Sequence, residues 1–137
     1  MLLITKAGAV INPRIKLGII TRIENGDMKH VCGIIVHQTD GRTAEGTISH
    51  YKTSGKKAGA HFLIEKDGTI YQTASLYKKT SHVGLLKSRC LAESRCAPSE
   101  LPKLRKAGAP AMHKSEKKKI FPIRYPSNAD SIGIELV

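Results

Sequence analysis

The sequence has no tryptophan, and aromatic residues make up only 4% of its 137 residues. A surface that stacks nucleic-acid bases on aromatic rings would therefore be poorly supplied. No apolar run approaches the length of a membrane-spanning helix, and the amino-terminal stretch lacks an apolar segment followed by a small-residue cleavage site. These absences argue against a base-stacking protein, against membrane insertion and against a cleaved secretory signal.

Acidic residues are also scarce, since 11 Asp and Glu stand against 23 Lys and Arg, for a formal net charge of +12. This excess favours an anionic partner, and charge alone leaves nucleic acid, an anionic membrane surface and an acidic cell-wall polymer open. No nucleic-acid-binding motif accompanies the charge. We therefore expect no nucleic-acid partner.

Only three cysteines are present, and none forms a C-x-x-C pair, which argues against a zinc ribbon. Cys90 and Cys96 lie six positions apart in a basic stretch. They either close a short disulfide loop in an oxidising compartment or stay as thiols, and the sequence leaves this choice open.

The local patterns predict a mixture of strands and one helix. The run "CGIIVHQ" is rich in β-branched residues and too short for a helix, so it predicts a strand. The run "TAEGTISHYKTSG" predicts an amphipathic helix with Thr43 as its N-cap and Gly55 as its stop. Two strand-like runs flank Asp67-Gly68, a dipeptide that favours a β-hairpin turn. The fold class is therefore α/β or α+β, with a central mixed β-sheet flanked by helices.

The last predicted strand, "SIGIELV", alternates apolar and small or polar residues. Ile132, Ile134 and Leu136 share one side, which we expect to meet the core. The other side carries Glu135 beside Gly133, and we expect the glycine to leave space next to the carboxylate.

A basic segment precedes this strand. From Lys87 to Arg124, 11 Lys and Arg stand against 3 Glu, and prolines at positions 98, 102, 110 and 122 forbid a long continuous helix. We expect a solvated surface insertion at about 87–126, with little regular structure, within a single domain of residues 1–137. The alternative is that this segment is a binding element.

The motifs "GIIVHQTD", "GAHFLIEKDGTIYQ", "SHVG" and "NADSIGIELV" occur in an order that resembles a known family. The chain is similar to the zinc-dependent N-acetylmuramoyl-L-alanine amidases, whose superfamily includes phage lysozyme-amidases and peptidoglycan recognition proteins. The resemblance spans roughly residues 31–84 and 127–137. It implies an amidase-like fold, and hydrolysis of the bond between N-acetylmuramic acid and the L-alanine of the peptidoglycan stem peptide.

The resemblance also implies roles for three residues. His37 matches the family's first zinc ligand, at the end of the first core strand, so the expected cofactor is Zn²⁺. Glu135 matches a catalytic glutamate that takes a proton from the attacking water. His82, in "SHVG", matches a histidine of the family's substrate cleft, which implies a substrate-binding or oxyanion-supporting role. Ala60 stands where phage-type members have a tyrosine, which favours the branch that uses a glutamate.

The family's other two zinc ligands lie beyond the strand that matches "SIGIEL", whereas this chain ends at Val137. The resemblance therefore implies that the remaining metal ligands lie C-terminal to Val137 and that the domain is incomplete there. We expect a companion C-terminal fragment or a second copy of the chain as a partner.

The leading hypothesis is a peptidoglycan amidase made in the cytoplasm without a signal peptide. It would reach the cell wall by secretion or lysis, as an antibacterial effector with an immunity protein or as a lysin. A non-catalytic peptidoglycan-binding protein on the same fold is the main alternative. A basic nucleic-acid-binding domain ranks below both.

Overall fold

The computed structural model describes residues 3–137. Their contacts divide the chain into two compact units. The first unit comprises the residues up to His82 together with Asn128–Val137, and the second comprises Val83–Ser127. The second unit nearly coincides with the basic segment of the sequence, while the assignment of residues 1–137 to a single domain stays a prediction.

The first unit contains the strands, one α-helix and a short 3-10 helix of the described residues. In chain order these are β1 (Ile15–Leu17), a 3-10 helix (Thr21–Ile23), β2 (Glu24–Asp27), β3 (Gly33–Gln38), α1 (Ala44–Thr53), β4 (Phe62–Ile64), β5 (Ile70–Gln72), β6 (Lys78–Thr80) and β7 (Ser131–Leu136).

Five of these strands form the central sheet, in the order β1-β5-β4-β7-β3. Strands β4 and β5 pair antiparallel, whereas β1–β5, β4–β7 and β3–β7 pair parallel. Strands β2 and β6 form a separate antiparallel pair. The predicted mixed central sheet with helices is confirmed, and β7 occupies an interior position between β3 and β4.

Helix α1 begins and packs as its sequence predicts. Thr43 has an extended backbone, and its hydroxyl accepts a hydrogen bond from the Gly46 N–H at 3.1 Å, which satisfies one donor of the first turn. The helix ends at Thr53, shortly before Gly55. Its Tyr51 is buried in a cluster with residues of the neighbouring segments, namely Ile20, Ile23 and Ala74.

The hairpin between β4 and β5 is also confirmed. Gly68 takes a φ of +84°, a conformation that glycine adopts without steric cost. The Gly68 N–H donates to the Glu65 carbonyl at 2.9 Å, and the Thr69 N–H donates to Asp67 Oδ1 at 2.8 Å. The end of the hairpin is therefore held by its own backbone and by the Asp67 side chain.

Burial along the apolar side of β7 is uneven. Ile132 is 8% exposed, as expected of a core residue, but Leu136 is 41% exposed. On the paired strand β3, Ile34 and Val36 are exposed as well. The expectation that this whole side meets the core is therefore wrong at Leu136. Alternation identifies the residues that share a side of a strand, but not whether another element covers that side.

The second unit is more regular than the sequence suggested. It contains three short helices, α2 (Arg89–Ala92), α3 (Leu101–Lys106) and α4 (Ala109–Glu116). Pro102 and Pro110 lie in the first turns of α3 and α4, where a missing N–H costs no helical hydrogen bond. The expectation of little regular structure is wrong for that reason. No helix within residues 3–137 is long and apolar enough to cross a membrane.

The sequence left open whether the two cysteines of this unit form a disulfide or stay as thiols. Cys90 and Cys96 form a disulfide, with their Cα atoms 4.7 Å apart. The bond closes the loop that follows α2 and crosslinks the amino-terminal part of the second unit.

Candidate functional site

Two predicted site residues lie side by side on adjacent strands. Strands β3 and β7 run parallel, and their register pairs His37 with Glu135. Because paired residues of neighbouring strands project to the same side of a sheet, both side chains leave one face of the sheet near the strands' carboxyl ends. Sequence patterns alone put each residue on a strand, and the parallel pairing brings them together.

A pocket of about 400 Å³ opens beside Glu135. Its wall is formed by the end of β3, the residues that follow it, α1 and Glu135 of β7. The lining residues are Gln38, Thr39, Asp40, Gly41, Gly46, Thr47, His50, Tyr51 and Glu135.

Three titratable residues of this pocket were not assigned a role from the sequence. Asp40 follows His37 by three residues, just after β3 ends at Gln38, and this position was a signal that it shares the site. His50 and Tyr51 lie on α1, and only the packing of that helix brings them to the pocket. Their positions in the sequence carry no comparable signal.

The environment of Glu135 favours its protonated form more than water does. Partial burial raises the pKa of the Glu135 carboxyl, the nearby Asp40 charge raises it further, and His37 lowers it in part. Burial and the negative charge of Glu135 raise the pKa of Tyr51 to about 12. Tyr51 is thus a neutral phenol at pH 7, beside a carboxylate that is a stronger base than an exposed glutamate.

His82 lies against His37 and Ser131. Its Nε2 is 3.3 Å from the Ser131 carbonyl oxygen and 3.2 Å from the Ser131 hydroxyl oxygen, which can accept or donate. Its Nδ1 is 3.4 Å from His37 Nε2, and the tautomers of the two rings decide which of these nitrogens donates. Burial lowers the pKa of His82 to about 4, with smaller contributions from His61 and His37, so this ring is neutral at pH 7.

Gly133 is held between two histidines. A Cβ at Gly133 would lie 2.5 Å from His82 Cγ, so the space that the sequence predicted beside Glu135 is filled by the His82 ring. From the other direction, the Gly133 N–H donates to His61 Nδ1 at 3.0 Å, while His61 Nε2–H donates to the Lys78 carbonyl at 2.8 Å. His61 is fully buried and has a structural role: it fixes the backbone on which His82 rests.

The metal-binding capacity of this arrangement is incomplete. Catalytic zinc takes three protein ligands and keeps one open position. Within the part of the chain that the structure describes, no three His, Cys, Asp or Glu side chains gather in a way that could hold a metal ion. One ring nitrogen of His37 lies beside one ring nitrogen of His82, and the two share a hydrogen bond. The described residues therefore do not fit a complete zinc site.

The structure brings His37, His82 and Glu135 together within the first unit, whereas their individual roles stay predictions. The expectation of further ligands after Val137 lies outside the described residues.

Comparison with known proteins identifies the family. No curated protein and no solved structure matches the chain. The family model of the N-acetylmuramoyl-L-alanine amidases matches residues 27–137, which is most of the sequence and includes the strand that ends at His37 and the strand that carries Glu135. The chain belongs to the N-acetylmuramoyl-L-alanine amidase family.

Proposed function

We propose that this chain hydrolyses the amide bond between the lactyl group of N-acetylmuramic acid and the L-alanine of the stem peptide. Family membership supports an amidase that acts on peptidoglycan. The observation that carries the proposal is the pairing of His37 with Glu135 on adjacent strands, with Glu135 in the wall of a pocket of about 400 Å³.

In this proposal Glu135 is the general base. Its raised pKa, caused mainly by burial, makes its carboxylate a better proton acceptor near neutral pH than an exposed glutamate. It takes a proton from the water that attacks the amide carbonyl. The same carboxyl then returns the proton to the departing amine of L-alanine.

His82 is the substrate-binding residue of the proposal. Its lowered pKa keeps the ring neutral at pH 7, so it adds no positive charge beside His37. The hydrogen bond between His82 and His37 also supports a second contribution, which is to hold the His37 ring in one orientation.

We include zinc dependence in the proposal because members of this family are generally zinc-dependent. His37 is the residue that we propose as a ligand. Because residues 3–137 do not gather a third ligand, the steps above are written for the side chains of the chain alone.

We also propose that the protein acts on the cell wall outside the cytoplasm, as an effector or a lysin. The Cys90–Cys96 disulfide supports an oxidising compartment, and the net charge of +12 suits anionic wall material. The proposed partners of the chain are an immunity protein and either a companion fragment or a second copy of the chain.

One observation favours a second candidate function. Since the described residues hold no group of three metal ligands, a non-catalytic protein that binds peptidoglycan in the same pocket is the alternative. It would keep affinity for peptidoglycan without cleaving the amide.

Digestion of purified sacculi separates the two functions. Mass spectrometry of the soluble products should identify stem peptides that begin with a free L-alanine amine, and a chelator should reduce their release. Binding to sacculi without release of such peptides would support the binding protein instead.

A further inference from the structure

The second unit exposes a group of large apolar side chains just after helix α4. Ile120 is 71% exposed, Ile123 is 56% exposed and Phe121 is 37% exposed. We call residues Ile120–Ile123 the apolar tip. Three large exposed apolar side chains thus lie within four consecutive residues, and clustered apolar exposure marks interaction sites.

The apolar tip is a folded turn. The Ile123 N–H donates to the Ile120 carbonyl at 2.9 Å, which closes the turn. Arg89 donates to the Pro122 carbonyl at 2.9 Å and lies over the Phe121 ring at 5.9 Å. Exposure of these apolar side chains is therefore built into the local structure.

An ion network inside the second unit holds the segment just before the apolar tip. Lys119 Nζ forms ion pairs with Glu116 Oε1 at 2.8 Å and with Glu100 Oε1 at 3.2 Å. The Glu116 side chain is fully buried. This buried carboxylate fixes Lys119 pointing inward. The next residue, Ile120, lies on the surface.

Exposed lysines stand directly before the apolar tip. Lys114, Lys117 and Lys118 are exposed, and they take part in none of the ion pairs among residues 3–137. The unit as a whole carries 11 Lys and Arg against 3 Glu, an excess of eight positive charges. Its surface is therefore complementary to an anionic partner.

The combination of charge and apolar exposure discriminates among anionic partners. A soluble polyanion needs only the lysines, and an exposed isoleucine would contribute nothing to it. An anionic bilayer interacts with both kinds of side chain. Its headgroup phosphates attract lysines, and apolar side chains become buried at the boundary with the acyl chains. We propose that the second unit binds the surface of an anionic lipid bilayer, with the apolar tip in the interface and Lys117 and Lys118 at the headgroups. Such peripheral binding needs no membrane-spanning helix.

Co-sedimentation of the full chain with vesicles tests the proposal. We expect binding to vesicles that contain phosphatidylglycerol, little binding to pure phosphatidylcholine, and weakening at high salt. Lys117→Gln with Lys118→Gln should weaken binding about 30-fold, since each lysine near an anionic surface contributes roughly a factor of five. Ile120→Ser with Ile123→Ser should weaken it at least about tenfold.

Matched controls come from the first unit. Lys56→Gln with Lys57→Gln removes two exposed lysines, and Ile11→Ser with Leu17→Ser removes two exposed apolar side chains. Both control variants should bind as the unaltered chain does. Equal losses in the control pairs would show that overall charge or hydrophobicity causes the binding, which would overturn the assignment to the apolar tip.

Tryptophan fluorescence can report insertion of the apolar tip into the bilayer. The chain has no tryptophan of its own, so the signal of an introduced one has no background. Phe121→Trp introduces a single emitter at the apolar tip, and its emission should shift to the blue with anionic vesicles and be quenched by brominated lipid. An unshifted emission would overturn the proposal. So would a vesicle affinity that depends on the lysine pair but not on the isoleucine pair, which would indicate a soluble polyanion as the partner. Neither result bears on amide hydrolysis.

Discussion

Gly133 lies so close to the imidazole of His82 that any side chain at position 133 would displace the ring. A Cβ there would come within 2.5 Å of Cγ, 2.7 Å of Nδ1 and 2.8 Å of Cδ2 of His82. The backbone at this point is also held by His61, which accepts the Gly133 N–H. A glycine on β7 thus sets the position of a histidine that contacts His37.

Gly133→Ala should therefore impair hydrolysis while leaving the fold intact. Displacement of His82 by about 1 Å would lower kcat/KM roughly 100-fold, and overpacking would cost about 1–3 kcal/mol of unfolding free energy. Release of stem peptides and urea denaturation measure the two effects. Gly18→Ala is the control, because a Cβ at Gly18 meets nothing within 4 Å. Full activity of Gly133→Ala would show that the position of His82 is unimportant for catalysis.

The contribution of His61 predicts loss of stability in mild acid. Burial lowers the pKa of His61 in the folded chain below its ordinary value of 6.5, and the neutral ring accepts from Gly133 and donates to Lys78. Between these two pKa values the unfolded chain binds a proton that the folded chain does not. The stabilisation is therefore present above pH 6.5 and is lost as the pH falls from 6.5 towards the folded pKa.

Urea unfolding at pH 7 and pH 5 measures this effect. The unaltered chain should be less stable at pH 5, and His61→Gln should show a smaller difference between the two pH values. His82, whose pKa is lowered to about 4, contributes in the same direction and keeps part of the difference. His30→Gln changes an exposed histidine and should leave the difference as it is. An unchanged difference in His61→Gln would contradict the role of His61.

The elements that depend on local signals were predictable from the sequence. The N-cap at Thr43 and the Asp67-Gly68 turn are encoded within a few residues, and both were confirmed. The pairing of His37 with Glu135 depends on contact between segments about a hundred residues apart. The family resemblance placed both residues in one site, but the pairing itself was not predicted, since no local pattern specifies it.

Besides the expectation for Leu136, two others failed for physical reasons. Prolines at helix starts are compatible with short helices, so a proline-rich segment such as 87–126 can be regular. The sequence suggested that the glycine at position 133 leaves open space beside Glu135. Only tertiary packing decides whether another side chain, here His82, fills that space. The first failure concerns local backbone geometry, and the second concerns packing between residues that are distant in sequence.

Metal content tests the ligand set. Because residues 3–137 gather two ring nitrogens and no third ligand, we expect a chain of residues 1–137 to retain less than one zinc equivalent after dialysis. His37→Ala should remove what is retained, whereas His30→Ala, at an exposed histidine, should not. One tightly held zinc per chain would contradict this reading of the site.

The most direct test of the account compares amide hydrolysis by the unaltered chain and by Glu135→Gln, under conditions in which the unaltered chain is active on sacculi. The substitution keeps the size of the side chain and removes the base, so the rate of stem-peptide release should fall by about two to four orders of magnitude. Glu45→Gln, at an exposed position of α1 outside the pocket, should keep the full rate. Release by Glu135→Gln at the unaltered rate would show that Glu135 is not the base and that the proposed mechanism is wrong.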